Sequence, residues 1–111
     1  MPMVSRQMDP GISVIAMSGR LVFGREVDQL ESLVHDSLKQ GRRKLVFDLS
    51  GLDYADSSGI GAIVSCLTEI KKSGGDLRVA GVNSRIQRLF KISGVDQILA
   101  VFPTVAEATV S

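Results

Sequence analysis

The chain has 111 residues, with 13 lysines and arginines against 12 aspartates and glutamates, one cysteine and no tryptophan. Its length suits one domain with its own core, and a formal charge of +1 excludes a strong global pull toward nucleic acid, an anionic membrane or an acidic substrate. The lone Cys66 excludes an internal disulfide and a cysteine cluster for zinc; set among Val64, Leu67 and Ile70, it reads as a small buried hydrophobe.

No repeat, low-complexity tract or linker divides residues 1–111, so a single domain is expected. The leading "MPMVSRQMDPG" lacks the apolar core of a secretory signal, and no later run is long enough to span a bilayer. A soluble cytoplasmic protein is the expectation.

In chain order, a short strand around Met3 to Gln7 is expected to pair across the turn signal "DPG" with the strand "GISVIAMSG", 11 to 19, whose two faces are both partly apolar. From Arg25 the period changes to that of a helix, with Val27, Leu30, Leu33, Val34 and Leu38 on one side, and Gly41 can end it. "KLVFDL", 44 to 49, is a continuous apolar run typical of a strand buried on both faces of a parallel sheet.

A loop "DYADSSGIG" follows, then a second amphipathic helix through Ile60, Ile63, Val64, Leu67 and Ile70 that closes at Lys71, Lys72 and "SGG". "DLRVAGV" reads as a strand, and Asn83 or Ser84 can cap a helix carrying Ile86, Leu89 and Phe90 that stops at Ser93 and Gly94. "QILAVF" is the expected last strand, and "TVAE", 104 to 107, fits the capping box of a short terminal helix. The sum is an α/β fold: a mixed open sheet of mostly parallel strands packed against about four helices.

Ligands and partners of open α/β sheets meet the loops that leave the carboxyl ends of strands, and "DYADSSGIG" is such a loop. A helix start needs only one polar cap for its unpaired N–H groups. With Ser57 as the cap, Ser58 would turn its hydroxyl outward as an accessible acceptor; with Asp56 as the cap, both serines would lie in the first turn. An enzymatic serine is disfavoured, because the G-x-S-x-G spacing of a nucleophile elbow fails here. His35, the only histidine, projects with Asp28 and Glu31 on the polar face of another helix and offers no base. No phosphate-binding G-x-x-x-x-G-K-[ST] is present, and Asp48, Asp53 and Asp56 lack the acidic pair and late lysine of a response-regulator receiver.

The stretch from "LVFDLSGLDYADSSGIGAIVSCLTEIKKSGG" through "DLRVAGVNSRIQRLFKISGVDQIL", with the earlier "SGRL", resembles the STAS domain, most closely the bacterial anti-sigma factor antagonists, over about residues 11 to 110. The resemblance implies a non-enzymatic partner switch that needs no cofactor. Such a protein binds an anti-sigma factor that is also a serine kinase, freeing a sigma factor, and the kinase phosphorylates the second serine of D-S-S-G, which is Ser58 here. A PP2C-type phosphatase reverses the modification. The implied contact residues are Asp56, Ser57, Ser58, Gly59, Ile60 and Gly61, with Ser57 holding the turn, the two glycines keeping the approach open and Ile60 anchoring the helix. Neither nucleic acid nor membrane is an expected partner, and the chain is expected to be a monomer or weak homodimer in a stress-response pathway.

Phosphate chemistry agrees with such a switch. A phosphoryl group adds roughly −1.5 to −2 charge; a helix N-terminus tolerates that anion, whereas a surface fitted to a bare hydroxyl does not. One departure concerns partner choice: Val22 occupies the acidic place of the G-x-L-D that many antagonists carry and Phe23 follows it, an apolar pair that suits either the core or an altered partner surface. The alternative reading is a STAS subunit of a stress-sensing assembly, or an accessory module of lipid transport.

Overall fold

The computed structural model describes residues 3–8 and 11–110. Strand β1 (Met3–Met8) runs antiparallel to β2 (Ile12–Leu21), as the sequence predicts, with Met8 opposite Ile12; Asp9 and Pro10 of the expected turn lie outside the described residues. Then come α1 (Arg25–Lys39), β3 (Lys44–Ala55), α2 (Ser57–Lys72), β4 (Asp76–Ala80), α3 (Ser84–Ser93), a single 3₁₀ turn (Val95–Gln97), β5 (Ala100–Phe102) and α4 (Val105–Thr109). The five strands lie in sequence order across one sheet, all parallel after the first pair.

Each helix between parallel strands carries its apolar stripe to the same side of that sheet. Leu30 and Val34 of α1, Ile63, Cys66 and Ile70 of α2, and Ile86 and Phe90 of α3 close over Ile15, Phe47, Leu49 and Val79 as the main core. The other face holds a smaller cluster, in which Ala108 and Val105 of α4 cover Ile12, Val14, Val46 and Ala80. Both faces of the central strands are therefore dry, which is why "KLVFDL" lacks strand alternation. Phe47 is wholly buried, a transfer of about 1.5–3 kcal/mol for such a side chain.

Helix ends follow the expected chemistry. Gly41, just past α1, has φ +81°, and Gly94 ends α3 in the left-handed conformation. Asn83 caps α3 by accepting from the Ile86 N–H at 2.9 Å, and its amide donates to the Leu52 carbonyl at 2.7 Å, fastening the helix start to β3. The Thr104 hydroxyl accepts from the Glu107 N–H at 3.2 Å to cap α4.

Two elements differ from expectation. Strand β3 runs on to Ala55 instead of stopping at Leu49, because two bulges against β2 each insert an extra β3 residue: Ala16 and Ser18 face Asp48 and Gly51, then Gly19 and Arg20 face Leu52 and Tyr54. The first bulge is stabilised by the Asp48 carboxylate, which accepts from the Ser50 hydroxyl at 2.8 Å and the Ser50 N–H at 3.1 Å. The last strand is also shorter than "QILAVF". Val95, Gln97 and Ile98 belong to the 3₁₀ turn and its exit, with the N–H groups of Ile98 and Leu99 both donating to the Val95 carbonyl.

Candidate functional site

The bulges decide where β3 ends. They bring Ala55 opposite Leu21, the last residue of β2, so the chain leaves the sheet at Asp56, whose N–H still donates to the Leu21 carbonyl at 3.3 Å. Asp56 is extended at φ −89° and ψ −177°, and its Oδ1 accepts from the Gly59 N–H at 2.7 Å. Asp56 is thus the N-cap of α2, and the reading of Ser57 as the cap that holds the turn is corrected. The cap position follows from sheet register, because pairing with Leu21 keeps Asp56 extended and turns the next residue into the helix.

The second carboxylate oxygen reaches elsewhere. Asp56 Oδ2 accepts from the Phe23 N–H at 3.1 Å, across 33 residues of sequence. One side chain thus fastens the β2–α1 turn to the start of α2. These hydrogen bonds, first from Gly59 and then from Phe23, hold the Asp56 carboxyl below its ordinary value of 3.8 by favouring the anion.

Serines 57 and 58 both lie in the first turn of α2. Ser57 is exposed and Ser58 half-buried, and neither hydroxyl has a hydrogen-bond partner among the described residues. Gly59 is buried, and a Cβ there would stand 2.1 Å from the Leu21 carbonyl oxygen. Its role is therefore a close approach of helix to strand, not the open access expected for it. Ile60 is buried as an anchor, while Gly61 is exposed with nothing near its missing Cβ. Of the six expected contact residues, Asp56, Ser57, Ser58 and Gly61 present solvent-accessible surface.

Sequence reasoning left Phe23 between core and surface, and the structure places it outside, 79% exposed. The half-exposed Tyr54, with the Arg20 guanidinium 5.2 Å above its ring, adds a second aromatic group beyond the motif. Its signal was the alternation of the strand, which the bulges disguise.

Elsewhere, His35 and Glu69 approach to 3.4 Å between α1 and α2, both well exposed. Glu69 lies eleven residues along α2 from Ser58, about 16 Å at 1.5 Å per residue, so His35 cannot serve the serines as a base. Cys66 is buried as expected, and burial, followed by the nearby Glu31 and Glu69 carboxylates, pushes its thiol up to about 12. Among the described residues no group of His, Cys, Asp and Glu is arranged to hold a metal ion, and no helix is long and apolar enough to cross a membrane.

Comparison with known proteins places this geometry. Residues 4–108 match the STAS domain family. The anti-sigma-B factor antagonist of Staphylococcus aureus (strain NCTC 8325 / PS 47) is 32% identical over 75 residues, which are 68% of this chain and 69% of that protein. A Bacillus subtilis (strain 168) protein bearing a sulfate-transporter name is 27% identical over 94 residues, 85% of this chain; the chain spans only 18% of that relative. In fold, a Thermotoga maritima protein described as a candidate anti-sigma factor antagonist superposes with a TM-score of 0.86 at 24% identity, covering 96% of this chain and 90% of the other. The phosphorylated Bacillus cell-fate determinant SpoIIAA gives 0.76 at 20% identity, covering 96% and 95%. The chain belongs to the STAS domain family and is a homologue of the bacterial anti-sigma factor antagonists.

Proposed function

We propose that the chain is an anti-sigma factor antagonist that works by partner switching. Unphosphorylated, it binds an anti-sigma factor that is also a serine kinase, freeing a sigma factor in the cytoplasm; phosphorylation of Ser58 ends the binding, and a PP2C-type phosphatase restores it. The protein acts as ligand and kinase substrate, as a monomer or weak homodimer, and catalyses nothing itself.

The observation that carries this reading is the division of the Asp56 carboxylate between Gly59 and Phe23. It leaves the hydroxyls of Ser57 and Ser58 both without a partner among the described residues, at a helix start whose cap also holds the backbone of the exposed Phe23; the choice of Ser58 follows the resemblance to the antagonists' D-S-S-G. A phosphate on Ser58 would stand in the first turn of α2, where the helix dipole favours an anion, so the fold survives. It would also stand beside the Asp56 anion and the Phe23 turn, changing the charge of the surface a partner must meet. The relatives named as antagonists support the same role.

The test is a pull-down from the native cell lysate with the wild type, Ser58→Ala and Ser58→Asp as baits, followed by site-resolved mass spectrometry after incubation with the recovered kinase. Ser58→Ala is expected to retain the partner without accepting phosphate, and Ser58→Asp to lose it. Phosphate on Ser57 alone, or undiminished affinity after stoichiometric Ser58 phosphorylation, would overturn the reading. The likeness to the much longer sulfate-transporter relative favours a second reading, a STAS module serving a membrane transporter; recovery of a transporter with all three baits equally would support it.

A further inference from the structure

The sheet ends at β5, and a groove of about 640 Å³ opens between this edge and α3, with neither Ser57 nor Ser58 among its lining residues. Phe90 and Leu99 form its apolar floor, and Val101, 41% exposed, forms its outer wall. The register explains the wall: Val101 lies beside Val79, whose side chain belongs to the core under the helices, so Val101 points to the same face. The backbone of this residue is also turned outward. The Phe102 carbonyl accepts from the Gly81 N–H at 3.1 Å, so Phe102 faces β4, and alternation turns the N–H and C=O of Val101 away from the sheet.

Arg88 and Lys91 stand one turn apart on α3 at the rim, and neither has an ion pair among the described residues, whose three pairs involve other groups. Asp96 lines the groove as well.

We propose that this groove docks an extended segment of a partner protein, paired to Val101 and carrying an acidic side chain toward Arg88 and Lys91. An edge of three residues is too short to seed open-ended aggregation, yet it supplies one donor and one acceptor to a visiting strand. The apolar floor accepts alternate side chains of that strand, and the two cations select its charge. Asp96 restricts the acid to the α3 side. A second copy seated by its own β1 edge is disfavoured, because the described β1 residues carry Arg6 and no acid, setting cation toward cation.

The full chain, labelled with ¹⁵N, is titrated with a capped peptide alternating valine and glutamate, and separately with its valine–lysine counterpart. The glutamate peptide is expected to shift the amides of Arg88, Lys91 and Val101 saturably. The double variant Arg88→Glu/Lys91→Glu is expected to weaken that binding by about tenfold or more. Val101→Pro, which removes an N–H that does not serve β4, is expected to weaken it as well. No saturable shift, equal binding of the lysine peptide, binding indifferent to the charge reversal, or concentration-dependent broadening of the same amides in the free chain would each overturn the proposal.

Discussion

The Phe23 amide and the Asp56 carboxylate meet at 3.1 Å although 33 residues separate them, and the same carboxylate caps α2 through Gly59. Asp56→Asn keeps one acceptor oxygen for the Gly59 cap but sets a donor amide against the Phe23 N–H, so it should break the connection to the β2–α1 turn and remove the anion. Because the hydrogen bonds hold the carboxyl below 3.8 in the folded chain, their contribution is fully present above that value and is lost as pH falls through the lowered one. The denaturation midpoint of the wild type should exceed that of the variant near neutrality, with the gap closing on acidification. A gap independent of pH would remove the anion from the account.

The two glycines of the first α2 turns should respond oppositely to the same substitution. Gly59→Ala drives a methyl group to 2.1 Å from the Leu21 carbonyl oxygen, a backbone atom that cannot swing aside; a loss of about 2–3 kcal/mol is expected. Gly61→Ala meets nothing within 4 Å and should gain about 0.5–1 kcal/mol through helix propensity. Paired urea melts measure both.

Phe23→Ala should leave the urea midpoint within about 0.5 kcal/mol of the wild type, because a side chain 79% exposed contributes little to the core. A large loss would return Phe23 to the interior.

Ser13 is fully buried in β2, and its hydroxyl has no hydrogen-bond partner among the described residues. Ser13→Ala removes a desolvated polar group at little loss of packing, so a gain of about 1 kcal/mol in calorimetric stability is expected.

Cys66 should be chemically silent while the chain is folded. Raising the thiol from 9.0 to about 12 lowers its thiolate fraction roughly a thousandfold at mildly alkaline pH. Labelling with a thiol reagent should then track unfolding, and rapid native-state labelling would contradict the burial.

The three long helices were legible in the sequence because their apolar residues recur at a period that packing on one sheet face demands, and Asn83 and Thr104 announce their caps chemically. The end of β3 was not. Leu49, Leu52 and Ala55 all face the main core at intervals of three, a spacing no regular strand shows; the two bulges produce it, and their cause lies in the pairing with β2. The same concealed register decides between the two caps that the motif offers, selecting Asp56 over Ser57. At the carboxyl end, buried Val95 and Leu99 are four apart with Ile98 exposed, the signature of a helical turn inside what composition alone presents as a strand. Of the candidate site, the motif itself was visible, whereas the contribution of Phe23 depends on a contact between two loop ends that local sequence does not encode.

The order of the strands bears on what the serine-bearing rim can recognise. In doubly wound sheets the strand sequence reverses once, and neighbouring connections diverge to opposite faces, opening the crevice that receives a nucleotide or substrate. Here the sequence β1 to β5 advances across the sheet without reversal, and α1, α2 and α3 fall on one side. No divergence parts the loops. The rim therefore offers a contour instead of a cleft, so the switch proposed for Ser58 would act on the match between two protein surfaces and not on the filling of a pocket.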